Sequence, residues 1–316
     1  MLSLLSGSDP IEVKTVIVTI FGQPGVCKTS LGYSADERPL LLDFDGGAHR
    51  AINRREGTTT VRMESWADLQ ALYRDHKEEI AQHGAVVIDT VGRCLDMIAA
   101  EVIRENPKMG QSDGSLAMKG WGALKSKWGA FEKASRALGV DLILIAHDKE
   151  KDEGDAKSVR PDIQGGSYGE VIKTSDAIGY CYISGRQRTL DFNPSDRWIG
   201  KNPAAWAPFP VPNFAQEPLF LRLVLDQLKA HLNDRAQANA DATKAAEVWW
   251  ERLGGIEDVQ KLNELLPEVN GLKNPLRAQV ASMVNDHAKA KGWAFDKKAK
   301  TFAAPAPAEE EQAAFA

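Results

Sequence analysis

Between Gly22 and Ser30 the chain reads Gly-Gln-Pro-Gly-Val-Cys-Lys-Thr-Ser, a run of small residues closed by an amine and two hydroxyls. Such a run can wrap phosphate: backbone N–H groups curl around the oxygens, a lysine supplies charge, and a hydroxyl serves Mg²⁺. Gly22, Gln23, Pro24, Gly25, Val26, Cys27, Lys28, Thr29 and Ser30 are therefore the candidate phosphate-binding residues. One position departs from the pattern G-x-x-x-x-G-K-[ST], because Cys27 stands where glycine normally precedes the lysine. Glycine there lets the backbone approach phosphate without a Cβ, and cysteine is small enough to stand in for it. The plain alternative is a Gly/Pro turn between a strand and a helix.

The elements that must position this loop follow from hydrophobic pattern. Val16-Ile-Val-Thr-Ile-Phe21 is a β-branched run that predicts a buried strand entering the loop, and a short helix from about Thr29 to Ala35 leaves it. Leu40-Leu-Leu-Asp43-Phe-Asp45 predicts a second buried strand ending in acids, and Thr58 to Met63 a third. Ser65 is placed to cap a helix reaching about Gln82. Ala85-Val-Val-Ile-Asp89 is another apolar strand closed by an acid, the form of a Walker B element whose carboxylate holds Mg²⁺ directly or through water. Asp141-Leu-Ile-Leu-Ile-Ala146-His147 ends in histidine instead. Polar residues at the carboxyl ends of parallel strands face the ligand crevice, which brings Asp45, Asp89 and His147 toward the loop. Asp43 competes with Asp45 for that place, an acid after a strand can equally cap a helix, and His147 can equally be a satisfied strand-end histidine.

With 316 residues, 43% of them hydrophobic, the chain has room for about two domains and a real core. A net charge of −5 excludes nucleic-acid binding by a general positive surface, so any such binding is local. The three cysteines, Cys27, Cys94 and Cys181, are widely spaced, which indicates neither a disulfide framework nor a zinc site. The opening Met-Leu-Ser-Leu-Leu lacks a basic flank and no apolar run approaches spanning length, so the expected compartment is a cytoplasm.

Elsewhere the pattern predicts a helix over about 91–105, a polar loop to Gly114, and a helix over about 115–138 with Lys119, Lys125, Lys127, Lys133 and Arg136. Trp121 and Trp128, a heptad apart on it, read as core or as base-stacking platforms. Asp148 to Gly166 lacks apolar periodicity and predicts a long mobile loop. Two strands, 177–183 and 188–192, predict a hairpin, with Trp198 to Asn202 continuing or following that sheet. The proline-rich stretch 203–218 excludes regular structure. Helical character begins at about Ala240, with apolar stripes through Leu262, Leu265, Leu266 and Val269 and through Leu276, Val280, Met283 and His287. Ala-Pro repeats and an acidic tip, Glu309 to Ala316, close the chain and predict a disordered tail.

Taken together, Gly22 to Thr29, Asp45, Asp89 and His147 resemble the RecA-like ATPases over roughly residues 14–215, and within them the phage RecA-like single-strand annealing proteins of the Sak-four type. The resemblance implies a RecA-like P-loop NTPase core with a mainly parallel central sheet flanked by helices over 1–235. A small helical module over 236–302 and the disordered acidic tail from 303 complete the expected domains. It implies ATP and Mg²⁺ as cofactors, single-stranded DNA as partner, homo-oligomeric rings or filaments with ATP between subunits, and slow DNA-dependent ATP hydrolysis. It places DNA-facing loops at about Glu105 to Ser115 and Asp148 to Gly166. In these roles Lys28 neutralises the β- and γ-phosphates, Thr29 and Asp89 hold Mg²⁺, Asp45 orients the attacking water, and His147 is a sensor linking the γ-phosphate to the second loop. Asp45 is one carbon shorter than the glutamate of RecA. Lys201 matches the first of RecA's two trans-acting cations; Pro203 replaces the second, leaving Arg186 and Arg188 as substitutes. The acidic tip with Phe315 resembles those by which single-strand-binding proteins recruit partners, or is simply a solvated tail.

Two other readings share the same residues. One is a P-loop motor or loader working with a helicase or another replication or packaging partner. The other is a binding module that keeps ATP as a structural ligand.

Overall fold

The computed structural model describes residues 5–153 and 156–305. Contacts divide them into two compact units, one formed by Val13–Leu232 and the other by residues up to Glu12 together with those from Asn233 on.

The first unit begins with β1 (Ile17–Gly22), turns through the glycine-bearing loop into α1 (Lys28–Tyr33), and returns in β2 (Leu40–Asp43). A 3₁₀ turn at Ala48–Arg50 leads on to β3 (Thr59–Arg62), followed by α2 (Trp66–Asp75) and α3 (Lys77–Ile80). Ser65 caps α2 in a reciprocal capping box with Asp68. The expected single helix to Gln82 is broken at His76, the boundary between α2 and α3. Then come β4 (Ala85–Asp89), α4 (Val91–Glu105), α5 (Met118–Ala137) and β5 (Asp141–Glu153). They are followed by β6 (Ala156–Pro161), α6 (Ser167–Thr174), β7 (Ala177–Ser184), β8 (Gln187–Asp191) and β9 (Phe209–Pro210).

These strands form a nine-stranded sheet in the order β3-β2-β4-β5-β1-β7-β8-β9, with β6 paired to β5. Every pairing from β3 across to β7 is parallel. β8 on β7, β9 on β8 and β6 on β5 are antiparallel. The fold class is thus the expected one, mixed α/β with a mainly parallel central sheet flanked by helices.

Strands buried on both faces read as continuous apolar runs, and successive side chains go to opposite sides. Ile17, Phe21, Leu42, Ile88, Leu142 and Leu144 pack with Trp66 of α2, Ile98 of α4, Trp128 of α5 and Val171 of α6. Their neighbours Val18, Ile20, Leu41, Val87, Ile143 and Ile145 pack on the other face with Leu31 and Tyr33 of α1. That face also takes Phe220, Leu221, Val224 and Leu228 from the start of α7 (Phe220–Gly254).

α7 begins well before Ala240, because these apolar residues, spaced three and four apart, give the stretch its own buried stripe. The stretch expected to exclude regular structure holds the two-residue β9. A larger correction concerns Asp148 to Gly166, expected as one mobile loop. β5 runs on to Glu153 and pairs antiparallel with β6, Asp148 opposite Pro161 and Lys149 opposite Arg160. This extension leaves the layered core, so its strands carry charge rather than apolar alternation. Opposite charges such as Lys157 and Glu150, 3.2 Å apart, suit such a ladder.

In the second unit α8 (Val259–Gly271) and α9 (Leu276–Ala290) are followed by a two-stranded ladder of β10 (Ala294–Asp296) and β11 (Thr301–Ala303). Trp249, Leu253, Leu262, Leu265, Val280, Val284 and Phe302 make its core. The lysine-bearing end expected within a purely helical module is therefore partly this ladder. Asn263 pins it, donating to and accepting from the backbone of Phe302. The acidic residues 309–311 and Phe315 lie outside the described residues.

Trp128 is 2% exposed, and its indole donates to Glu132 at 2.9 Å; burial raises the Glu132 carboxyl above the usual range. Trp128 is thus a packing residue, while Trp121 is partly buried against the same core. Trp128→Ala is expected to cost about 3–5 kcal/mol of unfolding free energy, read from urea denaturation.

Candidate functional site

Strand registers bring the candidate residues together. Gly22 lies opposite His147 on one neighbour and Cys181 on the other, while Asp43 lies opposite Asp89. The carboxyl ends of β1, β2, β4 and β5 therefore open onto one cavity of about 440 Å³, lined by Pro24, Gly25, Cys27, Lys28, Thr29, Ser30, Asp45, Asp89 and His147. Gly47, Arg50, Ala51 and Ile52 complete it. The volume lies in the range of small-molecule sites.

Lys28 is 6% exposed, and its ammonium donates to the carbonyls of Gly22 at 2.6 Å and Gln23 at 2.7 Å. Burial lowers its pKa, against the opposing pull of Cys181, Asp148, Asp89 and Asp45. Gly22 cannot carry a side chain, since a Cβ there would stand 2.1 Å from the Cys181 carbonyl oxygen. Val26 is buried in the core, so its side chain is packing and only its backbone belongs to the loop.

Cys27 shows why glycine suits its position. Its φ of 73° and ψ of 24° are left-handed, a region that costs a residue with a Cβ about 1–2 kcal/mol. The constraint is thus one of backbone handedness in addition to the close approach expected from the pattern.

Thr29 donates its hydroxyl to Asp89 Oδ2 at 2.7 Å. Asp89 is 4% exposed, and burial raises its pKa, with Asp45 and Asp43 adding repulsion and the Thr29 hydrogen bond opposing. A hydroxyl and a carboxylate fit Mg²⁺, a cation that takes oxygen ligands and draws the others from phosphate and water. Among the described residues no group of three or more His, Cys, Asp and Glu side chains is arranged to hold a metal alone.

Asp43 and Asp45 have separate tasks. The Asp43 carboxylate accepts from the backbone of Gly47 at 3.0 Å and Ala48 at 3.1 Å, and so holds the turn after β2. Asp45 faces the cavity. Its Oδ2 meets His147 Nε2 at 3.0 Å and its Oδ1 lies 3.5 Å from Arg93 Nε. The His147 hydrogen bond, against a smaller cost of burial, holds its carboxyl below the usual range.

Lys201 and Arg188 stand apart from this group. Lys201 donates to the Ser175 carbonyl at 2.5 Å and its backbone bridges Ile178; Arg188 is exposed on β8, and neither lines the cavity. Arg50, Arg93 and Ile52 are the residues that sequence reasoning missed. Arg50 and Arg93 look like any surface arginine in sequence. Ile52 is 74% exposed, although the segment carrying it is tied to α1 by Ile52 N to Ser30 Oγ at 3.2 Å and Asn53 Nδ2 to Ser30 O at 2.9 Å. An apolar residue exposed among Arg50, Ala51 and Asn53 was the available signal.

Residues 14–204, well over half of the chain, match the family described as AAA domain. No curated protein matches the chain. Among solved structures, a KaiC-like protein from the hyperthermophilic archaeon Pyrococcus horikoshii OT3 is similar at 12% identity, covering 55% of this chain and 76% of its own, with a TM-score of 0.35. The RadB recombinase is similar at 13% identity, covering 55% of this chain and 79% of its own, with a TM-score of 0.35.

Cys27→Gly is expected to raise unfolding free energy by up to about 1 kcal/mol, left-handed strain being relieved and partly offset by greater unfolded-chain freedom. Asp89→Asn is expected to stabilise the nucleotide-free protein at neutral pH. The folded pKa of Asp89 is raised, so its penalty is full above that pKa and fades as pH falls toward about 4, the ordinary aspartate value. Melting temperatures of both proteins from pH 7 to pH 4 should therefore converge.

Proposed function

This chain belongs to the AAA domain family, and on that premise we propose that it binds ATP with Mg²⁺ in the cavity at the ends of β1, β2, β4 and β5, hydrolyses it slowly, and as an oligomer holds single-stranded DNA for annealing. The observation that carries the reading is the convergence of Lys28, the Thr29–Asp89 pair and the Asp45–His147 pair on one cavity.

In this reading Lys28 exchanges its two carbonyl partners for phosphate oxygens. Thr29 and Asp89 hold Mg²⁺, which supplies charge neutralisation at the phosphates when bound. Asp45 stays ionised and orients the attacking water, with Arg93 and His147 fixing its two oxygens. Its short side chain, already shared with His147, accounts for slow turnover. His147 heads the part of β5 that continues into the β5–β6 ladder, so a change in its hydrogen bond is felt outside the nucleotide cavity. Lys201 and Arg188, off the cavity of their own chain, are the candidates to reach a neighbouring subunit's nucleotide. The loop from about Glu105 to Ser115 and the stretch 148–166 that carries the β5–β6 extension are the candidate DNA-facing elements.

Lys28→Ala is expected to abolish binding of a fluorescent ATP analogue. Asp45→Asn should keep that binding and lower turnover roughly 10²-fold or more. Oligodeoxythymidylate should bind the wild type more tightly with a non-hydrolysable ATP analogue, and less tightly as salt rises. Failure to bind it at low salt in either nucleotide state overturns the DNA reading, while loss of ATP binding in the wild type overturns the whole.

A further inference from the structure

A second cavity, of about 520 Å³, opens beside the β5–β6 extension. Its walls are Lys151 of β5, Arg160 of β6, Tyr168 of α6, and the segment from Pro194 to Gly200 that carries Trp198. That segment is built onto β6: Val159 N donates to Arg197 O at 2.6 Å, and Val159 and Trp198 form a parallel bridge. The indole N–H of Trp198 donates to the Asn193 carbonyl at 3.1 Å.

Two features of these walls are chemically selective. Trp198 belongs to an aromatic stack, its ring 5.2 Å from that of Tyr180 and 5.4 Å from that of Tyr182. The Arg160 guanidinium lies 5.0 Å over the Tyr168 ring, and its Nε is buried with no hydrogen-bond partner among the described residues. A guanidinium stacked on an aromatic face keeps its edge for a planar or phosphate acceptor, and an indole offers a face to a second π system. Asp196 is the acid among the lining residues, beside the cations Lys151 and Arg160.

We propose that this cavity takes one unpaired nucleobase with its phosphate, the base against Trp198 and the phosphate on Arg160. The inference rests on the nucleic-acid reading above and narrows it: Lys151 and Arg160, within the stretch 148–166 already expected to face DNA, meet Trp198 from outside that stretch at one cavity, whereas Trp128, weighed as a stacking platform, is core. It also sets a distance: His147 at the nucleotide cavity and Lys151 at this one lie on the same strand, four residues or ~13 Å apart.

The test uses the full chain and two ligands, oligodeoxythymidylate and dTMP, titrated at low salt with the ATP analogue present. Arg160→Gln and Trp198→Leu are each expected to weaken binding roughly tenfold relative to wild type, the scale of one lost stacking or charged contact. Affinity for the ATP analogue should stay at the wild-type level. Arg160→Gln replaces a half-buried side chain and keeps the test open should Trp198→Leu disturb folding. Weakening with the oligonucleotide alone identifies a base within a strand; weakening with dTMP as well identifies the nucleotide unit itself, and both uphold the site. Variants that bind both ligands as the wild type does overturn the inference while leaving the DNA reading intact. A wild type that binds neither ligand overturns both.

Discussion

The constraint on which the site depends is the approach of Gly22 to the carbonyl of Cys181. It fixes where β1 ends against β7, and thereby where the loop leaves the sheet. Because β1 is paired on its other side with β5, the same residue also sets His147 level with the mouth of the loop. The opposing register of β2 and β4 then brings Asp43 and Asp89 side by side, and Asp45 follows. The site is thus a product of sheet register, with the side chains arriving in place as the strands do.

That dependence explains what was legible in the sequence. Runs such as Ala85 to Asp89 announce a strand buried on both faces, and a polar residue at the end of each run marks the crevice. The choice between Asp43 and Asp45 was not legible, because it turns on backbone donors at Gly47 and Ala48 that become available only after the chain has turned. The β5–β6 extension was hidden for a different reason. A strand pair that runs out from the layered core has too little buried face to impose alternation, and its charges read as loop. The early start of α7 lay in plain view at Phe220 to Leu228, but proximity to a proline-rich stretch obscured it.

The electrostatics of the cavity are unbalanced in a way that suits an anionic ligand. Asp89 is held against both burial and its neighbours Asp43 and Asp45, and Lys28 is held against burial alone. Neither group is at rest, and a magnesium phosphate satisfies both at once, since it brings positive charge to the acid and negative charge to the amine. On the proposed reading, the stability cost of the site and its affinity for such a ligand have one origin.

The hydrogen bonds from Lys28 to the carbonyls of Gly22 and Gln23 give the loop an internal tenant. An ammonium that bridges two carbonyls of the very turn it serves braces that turn from within. On the nucleotide reading proposed above, phosphate binding is an exchange of partners on this braced turn, so that little ordering of the chain opposes association.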